Sequence, residues 1–417
     1  MTVEYRWQKV SDVDDLRLQS FRGQALQSAP PASPAPRPLH PHWIGLPGRV
    51  GRDDGCYNAR STLTTGGLMV GRWLTCLVVA ALSGSAAATD QPVAIVVREF
   101  VAGDLPTPSC HASTIVEASP GRCLVAWFGG SDEGERDVGI WTSDRAGGEW
   151  SRPVEVATGS GEDGGRQPCW NPVLWKRPDG QLALSYKVGT SPRTWHGLER
   201  RSRDGGRSWD EPRRLARPGT PVTGGPVGPV KNKPVVTADG TILAPSSSED
   251  DGWRVHFERS TDGGDSWEII GPVNDGREIA AIQPALIVLG TGDLVALGRT
   301  RSGRVFQTTS RDAGRSWSPL ELTDLPNPSA GIDAVTLRDG RHLLVCNPVG
   351  EGRTPLVVAM RRDGGGWRTV VTLEDDPGEY SYPAIIQAAD GRVHVTYTWR
   401  RRRIAHVVID PAALPAD

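Results

Sequence analysis

Short apolar runs in this 417-residue chain are repeatedly flanked by side chains that bind anions or transfer protons. The flanking residues before a run are His111, Asn171, Lys231, Lys233, Gln283, Asp333, Tyr380 and Tyr382; those after the following run are Glu133, Asp137, Lys187, Arg299 and Arg301. Guanidinium and ammonium groups pair with carboxylates, whereas carboxyl, phenol and imidazole groups act as acids, bases or nucleophiles. If the fold gathers these ends, they predict a site for a polar, anionic ligand.

A box of the form Ser-x-Asp-x-Gly-x-x-Trp separates these runs. Complete copies occupy residues 202–209, 260–267 and 310–317, and partial copies occupy residues 143–150 and 360–367. Asp and Ser side chains bond their own backbone in tight turns, Gly supplies a backbone angle that other residues avoid, and Trp packs a large apolar ring beneath. The box therefore predicts a structural turn, and we assign it no catalytic role.

Six hairpins accompany the five boxes. The first strands are predicted at 112–116, 172–175, 234–236, 285–289, 334–337 and 384–386, each followed by a Gly-containing turn and a second apolar strand. The 50 Gly and 34 Pro also exclude a helix bundle. The sixth repeat ends after residues 404–409, so the strand at 93–101 is expected to complete it and to cover an exposed sheet edge.

The boxes and their spacing resemble the Asp boxes, or BNR repeats, of the sialidase (neuraminidase) superfamily. The resemblance covers residues 90–410 and implies an all-β fold, a six-bladed β-propeller with boxes between third and fourth strands. Residues 108–114 and 379–385 are similar to motifs of bacterial proteins described as predicted neuraminidases. In such a propeller, the starts of first strands share one face with the turns after second strands, and the boxes lie on the opposite face.

The resemblance also implies a site with three arginines, a Tyr–Glu nucleophile pair and an Asp acid. In this chain Arg299 and Tyr380 match that pattern, whereas His111 replaces one arginine and Gln283 stands near the position of the Glu. No arginine lies within residues 329–333. The incomplete sets argue against sialic acid itself as the substrate.

Three functions remain open. The first is an exo-glycoside hydrolase that releases a terminal acidic sugar: Asp137 or Glu133 protonates the leaving oxygen, Tyr380 attacks or stabilises the sugar, and Arg299 with Lys231 or Lys233 holds its carboxylate. The second is a polysaccharide lyase on uronic acids, in which His111 or Tyr382 abstracts a proton. The third is a carbohydrate-binding propeller without catalysis.

The remaining flanking residues are assigned to substrate binding. No metal or other cofactor is predicted, and residues 400–403 are interpreted as a solvated turn with one or two arginines leaning over the site.

The first 88 residues are predicted to lie outside the propeller. Residues 1–68 are interpreted either as a disordered Pro-rich extension or as residues that are not translated because the chain starts at Met69. Residues 69–88 combine Arg72, an apolar run and an Ala-x-Ala end, which is typical of a signal peptide. The run is too short to span a membrane. The chain from Thr89 onward is therefore expected to be exported to the periplasm or the extracellular space. A formal net charge of −2 gives no indication of nucleic-acid binding, and we expect a monomer.

Overall fold

The computed structural model describes residues 94–160, 164–215 and 227–415. The predicted extension and signal peptide lie outside the described residues. The described part belongs to one compact unit, Ser85–Asp417, and consists of β-strands with one short 3-10 helix, Pro411–Ala413. No helix in it has the length and apolarity needed to cross a membrane.

The strands follow one another in six blades. They begin with β1 (Ile95–Phe100), which joins the last blade. Blade I comprises β2 (Ser109–Ser119), β3 (Arg122–Gly130), β4 (Gly139–Ala146), β5 (Glu149–Trp150) and β6 (Val154–Ala157), and a small hairpin follows with β7 (Gly159–Ser160) and β8 (Arg166–Gln167). Blade II comprises β9 (Cys169–Lys176), β10 (Leu182–Val188), β11 (His196–Ser202) and β12 (Arg213–Arg214).

The other four blades repeat this order. Blade III comprises β13 (Val235–Val236), β14 (Ile242–Ser248), β15 (Arg254–Ser260) and β16 (Glu268–Ile270). Blade IV comprises β17 (Ala281–Val288), β18 (Leu294–Thr300), β19 (Arg304–Ser310) and β20 (Glu321–Pro326). Blade V comprises β21 (Asp333–Thr336), β22 (His342–Cys346), β23 (Leu356–Arg361) and β24 (Arg368–Glu374). Blade VI comprises β25 (Tyr380–Gln387), β26 (Val393–Trp399) and β27 (Arg403–Ile409).

Each blade is an antiparallel meander, and the predicted six-bladed propeller is confirmed. The N-terminal strand β1 pairs with β27 as the fourth strand of blade VI, from Ile95 opposite Ile409 to Phe100 opposite Ala405. This pairing covers the edge that β27 would otherwise expose. The ring is therefore closed by residues from both ends of the described chain.

The boxes form the turns after the third strands, as their spacing predicts. In the box of blade III, Ser260 Oγ donates to Asp262 Oδ1 at 2.7 Å and accepts from the backbone N–H of Gly264 at 2.8 Å. Its Trp267 packs edge-on against Trp175 of blade II, with ring centroids 6.2 Å apart. The box thus satisfies its own polar groups and uses its indole to join neighbouring blades.

The core lies between the blades, where the apolar side chains of adjacent sheets interdigitate. The four described cysteines, Cys110, Cys123, Cys169 and Cys346, are buried there as free thiols. They therefore contribute apolar packing to the blades rather than cross-links.

Candidate functional site

The first strand of every blade is distorted where it approaches the ring centre. One residue in or just before each of these strands has a positive φ: Ala112 (54°), Asn171 (39°), Lys231 (74°), Gln283 (56°), Ser329 (58°) and Tyr382 (49°). Strand pairing is interrupted at the same places in blades I, IV and VI. Such bulges re-aim side chains, and strained backbone of this kind clusters at functional sites. The six positions define the channel end of the propeller.

Tyr382 lies at this end beside His111. Their ring centroids are 4.2 Å apart, and the Tyr382 side chain is hydrogen-bonded by Gln283. His111 Nδ1 is 3.0 Å from Thr398 Oγ1, which also accepts from the backbone N–H of Ala112 at 3.1 Å. Blades I, IV and VI thereby contribute an imidazole, an amide and a phenol to one cluster.

The environment keeps both aromatic groups of this cluster neutral. Burial lowers the pKa of His111 well below its usual value, and the charges of Arg401, Arg353, Arg299 and Lys231 lower it further. Burial raises the pKa of Tyr382, although Arg299 and Arg353 partly oppose this effect. At neutral pH the site therefore holds an uncharged imidazole and an uncharged phenol among several cations.

Three arginines from three blades surround the pair. Arg299 is the penultimate residue of β18, and its Cζ lies 5.6 Å from the centre of the Tyr382 ring. Its Nη1 donates to Ser329 O at 2.8 Å. Arg353 comes from the β22–β23 hairpin and is buried. Arg401 comes from the β26–β27 hairpin. The sequence predicted Arg299 individually, pointed to Arg401 only through the run 400–403, and gave no signal for Arg353.

Two carboxylates hold Arg401 in place. Its Nε donates to Glu379 Oε1 at 2.6 Å, and its Nη1 donates to Glu133 Oε2. Glu133 comes from the β3–β4 loop of blade I, and its charge also acts on Tyr382. The structure thus brings Glu133 to the central cluster.

The other predicted acid, Asp137, lies in the same loop with different contacts. Its Oδ2 accepts a hydrogen bond from the backbone N–H of Ser131, and its Oδ1 accepts one from Ser131 Oγ, each at 2.9 Å. The residue is exposed, and no contact with the central pair is seen among the described residues. Asp137 is therefore a loop-stabilising group in this conformation.

The two tyrosines of the Glu-Tyr-Ser-Tyr motif occupy different environments. Tyr380 is 1% exposed and packs in the hydrophobic cluster between blades V and VI. Its hydroxyl accepts from Arg400 Nη2 at 3.1 Å. Because of the bulge after Ser381, Tyr382 rather than Tyr380 faces His111.

The predicted lysines of blade III are engaged within the protein. Lys231 Nζ donates to Asn232 Oδ1, to Ile332 O of blade V and to Pro383 O of blade VI. Lys233 Nζ donates to both carboxylate oxygens of Asp333, at 3.0 and 2.9 Å. These ammonium groups and Asp333 therefore tie blade III across the ring, and burial lowers the pKa of Lys231 to about 7.

Three predicted binding residues remain on the same face. Lys187 is buried and donates to Pro229 O at 2.6 Å, so it links blades II and III. Arg301 stacks on the Trp253 ring at 4.3 Å, beside Arg299 at 4.8 Å. The side chain of Asn171 makes no hydrogen bond to another described residue, which leaves its amide available to a ligand.

The described ranges contain no group of three or more His, Cys, Asp or Glu side chains arranged to hold a metal ion. The groups that the channel end presents are imidazole, phenol, carboxyl and guanidinium groups.

Comparison with known sequences identifies the repeat. The BNR repeat-like domain matches residues 121–395, which is well over half of the chain. The chain belongs to this family. No curated protein matches this BNR repeat protein.

Solved structures with the same fold include several sialidases. A protein of unknown function from Dyadobacter fermentans aligns at 17% identity and TM-score 0.63, over 76% of this chain and 98% of its own. The Hadza microbial sialidase Hz136 aligns at 17% identity and TM-score 0.62, over 74% and 67% respectively. The NanB sialidase of Streptococcus pneumoniae aligns at 13% identity and TM-score 0.63, over 76% and 70%. At these identities the likeness establishes a sialidase-like fold.

Proposed function

We propose that this BNR repeat protein is an exported exo-glycoside hydrolase that releases a terminal acidic sugar. The observation that carries the proposal is the convergence of Arg299, Arg353 and Arg401 on the neutral His111–Tyr382 pair. Planar guanidinium groups bind carboxylates through two parallel hydrogen bonds, so a cluster of them selects an anionic ring. The sialidase-like fold supports the same class of substrate.

The proposed reaction divides the chemistry between two sides of the bound sugar. Glu133, on the loop from blade I, is paired with Arg401 in the free protein and acts in its protonated form, donating its proton to the leaving oxygen as the glycosidic bond breaks. The Tyr382 oxygen passes its proton to His111 and bonds to the anomeric carbon, and a water molecule that is deprotonated by Glu133 then releases the sugar and restores the phenol. Tyr382 replaces Tyr380 in this role because its ring meets His111 at the channel end. Gln283 holds the phenol in position.

Substrate binding itself is proposed to activate the pair. The cations around His111 help to keep its pKa low in the free protein. A bound carboxylate neutralises part of that positive charge, so the pKa of His111 rises and the imidazole becomes a better acceptor for the Tyr382 proton. The uncharged pair therefore becomes reactive when an acidic ligand fills the arginine cluster.

A second candidate is a lyase acting on uronic acids. The observation that favours it is that an amide, Gln283, and a neutral imidazole, His111, flank Tyr382 where a carboxylate base would be expected. In that reaction one of His111 and Tyr382 removes the proton next to the carboxylate, the arginines stabilise the resulting anion, and the bond to the leaving oxygen breaks to give an unsaturated sugar.

One assay separates these candidates. The protein from Thr89 onward is incubated with a panel of acidic oligosaccharides, and both new reducing ends and far-ultraviolet absorbance are recorded. A hydrolase produces reducing ends alone, whereas a lyase also produces an absorbing double bond. Binding without cleavage leaves a carbohydrate-binding propeller, and the absence of both binding and cleavage overturns the proposal.

A matched pair of variants tests the carboxylate contact. Arg299→Gln is expected to reduce kcat/KM for the acidic substrate by about 100-fold, because the charge-assisted hydrogen bonds between the guanidinium group and the substrate carboxylate are lost at a desolvated site. Arg311→Gln changes an exposed arginine in the box of blade IV and serves as the control. Equal activities for the two variants would remove Arg299 from the site.

Export is part of the proposal and has its own test. The sequence motif places cleavage after Ala88, so N-terminal sequencing of the protein recovered outside the cytoplasm is expected to begin at Thr89. A mature chain that begins well before Met69 is incompatible with the proposed signal peptide.

A further inference from the structure

Arg401 pairs with carboxylates from two different parts of the protein. Its Nε donates to Glu379 Oε1 at 2.6 Å, and its Nη1 donates to Glu133 Oε2. All three side chains are partly exposed at the channel end, so solvent and ligands can reach them. One guanidinium group therefore serves two carboxylates before any ligand is bound.

The donor groups of Arg401 leave no complete edge for a third carboxylate. A guanidinium group binds a carboxylate best through two parallel N–H groups, either Nε with Nη2 or Nη1 with Nη2. Glu379 occupies an atom of the first edge, and Glu133 occupies an atom of the second. A ligand carboxylate that binds Arg401 through two hydrogen bonds must therefore displace one of these two residues.

Glu379 is fixed to the hairpin that carries Arg401. Its backbone oxygen accepts from the backbone N–H of Arg400 at 2.7 Å, and a backbone bridge joins it to Arg353 of blade V. The Glu379 carboxylate is therefore positioned by main-chain contacts on two sides, and a ligand would have to break them to move it far from Arg401.

Glu133 is attached to blade VI more weakly. It belongs to the β3–β4 loop, residues 131–138, and is followed by Gly134, whose φ is 87°. The other hydrogen bonds that the structure describes for this loop run within it, or to Arg166 of β8 and Cys169 of β9. Among the described residues, the Glu133 side chain is thus the hydrogen-bonded link between this loop and blade VI, and it is the carboxylate that a ligand can replace at lower cost.

We propose that the carboxylate of an acidic sugar replaces Glu133 on Arg401, and that the displaced Glu133 takes up a proton from solvent and becomes the acid of the reaction. The inference rests on the proposed function and adds its regulation: the acid is formed only after an acidic sugar has bound. A neutral sugar, which has no carboxylate to offer Arg401, leaves Glu133 in its ion pair.

The charges around Glu133 support the uptake of a proton after displacement. The carboxyl group then loses its contact with a cation and lies beside the carboxylate of the bound sugar, and both changes favour its neutral form. The ionisable groups that face it are Arg401, Glu379 and Tyr382 of blade VI and Asp132 of its own loop.

The test is isothermal titration of the protein from Thr89 onward with D-glucuronate and N-acetylneuraminate, and with D-glucose as a sugar without a carboxylate. Each titration is run at about pH 6 in two buffers of different ionisation enthalpy, so that proton uptake is measured together with Kd. The variants are Glu133→Gln and Glu133→Ala. Glu135→Gln is the matched control, because it removes one charge from an exposed position of the same loop. Circular dichroism melts show which variants fold.

Both Glu133 variants are expected to bind the acidic sugar about tenfold more tightly than the wild type, because the ligand no longer competes with a carboxylate for Arg401. The wild type is expected to take up about 0.5–1 proton more than these variants when it binds. Glu135→Gln follows the wild type in both measurements, and D-glucose shows no such difference between the proteins. An affinity or a proton uptake that is equal in the wild type and the Glu133 variants overturns the inference.

The cleavage assay on acidic oligosaccharides separates this inference from the proposed function. Any acidic sugar that the assay releases is titrated in the same way as the two monosaccharides. If no acidic sugar binds and no acidic glycan is cleaved, the proposed function fails, and the inference fails with it. If the wild type cleaves acidic glycans but the Glu133 variants neither gain affinity nor lose proton uptake, the proposed function stands and the displacement of Glu133 is refuted.

Discussion

The two faces of the propeller handle charge in opposite ways. On the box face, Asp204 receives hydrogen bonds from Ser208 and Ser202, and these hold its pKa well below its usual range. All of these partners lie within four residues. On the channel face, Lys231 bonds residues 101 and 152 positions away, and burial lowers its pKa to about 7.

The comparison separates a face whose polar groups stabilise the fold from a face whose polar groups are candidates for reaction with a ligand. The polar side chains of a box need no other blade, because they find hydrogen-bond partners in their own turn. The channel face is assembled only when all six blades meet, and it holds neutral His111 and Tyr382 among arginines. Perturbed groups that lie together at the end of a fold are typical of functional sites.

The largest expected effect compares the two tyrosines of blade VI. Tyr382→Phe is expected to reduce kcat by about 1,000-fold, because it removes the hydroxyl that we propose acts on the reacting sugar. Tyr380→Phe removes an otherwise equivalent hydroxyl that bonds Arg400 in the blade core. Steady-state kinetics on an acidic glycan measure both, and a large loss for Tyr380→Phe with none for Tyr382→Phe would reverse the assignment.

The second effect concerns the ion pair between Lys233 of blade III and Asp333 of blade V. Lys233→Met is expected to lower the free energy of unfolding by about 3 kcal/mol, because Asp333 is left as a buried carboxylate without its cation. Adding Asp333→Asn in that background should recover part of the loss. Chemical denaturation measures the series, with Lys176→Met at an exposed strand end as the control. A Lys233 variant as stable as the control would show that the Lys233–Asp333 ion pair does not contribute to the free energy of unfolding.

The third effect is the pH dependence of stability at the seam between blades VI and I. Burial lowers the pKa of His394 to about 4, and the groups around it are Cys123, His406, Asp390, Arg145 and Arg392. Between pH 6.5 and pH 4 the unfolded chain binds a proton at this residue that the folded chain does not, so stability falls as pH falls. From pH 6.5 to pH 5 the loss is expected to be about 1–2 kcal/mol.

Glu99 adds to the same trend at lower pH. Its pKa is lowered to about 2, because hydrogen bonds from His406 and Arg145 outweigh the effect of burial. Denaturation at several pH values should give a shallower slope for His394→Gln than for the wild type. An unchanged slope would show that His394 does not control the acid sensitivity of this seam.

The smallest effect lies in the boxes. Ser260→Ala removes one donor and one acceptor from a single turn and is expected to cost about 1 kcal/mol. Activity on an acidic glycan should remain within about twofold of the wild type, because the box lies on the face opposite Tyr382. A strong loss of activity with little loss of stability would break the distinction between the two faces.

The fold was predictable to a large extent because its signals are local. Each box spans eight residues, and each first hairpin is marked by a Gly turn between apolar runs, so six blades follow from counting. The pairing of β1 with the last blade was also predicted, from the apolar strand at 93–101 that precedes the first hairpin. Neither inference requires knowledge of where distant side chains meet.

The site was predictable only in outline. The pattern placed His111, Arg299, Gln283 and Tyr382 on one face, and the structure brings these four together. It also favoured Tyr380 as the nucleophile, because Tyr380-Ser381 matches the family motif, whereas the bulge with a positive φ at Tyr382 places the Tyr382 ring against His111. Without the bulge in view, the motif alone gives no basis for choosing between the two tyrosines.

Residue patterns were enough to predict the repeat, the number of blades, the strand that closes the ring and the face that carries the candidate site. Where each cation lies became clear only in the folded ring: Lys231 and Lys233 bond groups on blades V and VI, whereas Arg299, Arg353 and Arg401 lie around the His111–Tyr382 pair. The physical reason is the range of the interactions. Turns and hairpins are fixed by partners a few residues apart, whereas the charges at the channel end are fixed by partners on different blades, whose proximity exists only after the ring has closed.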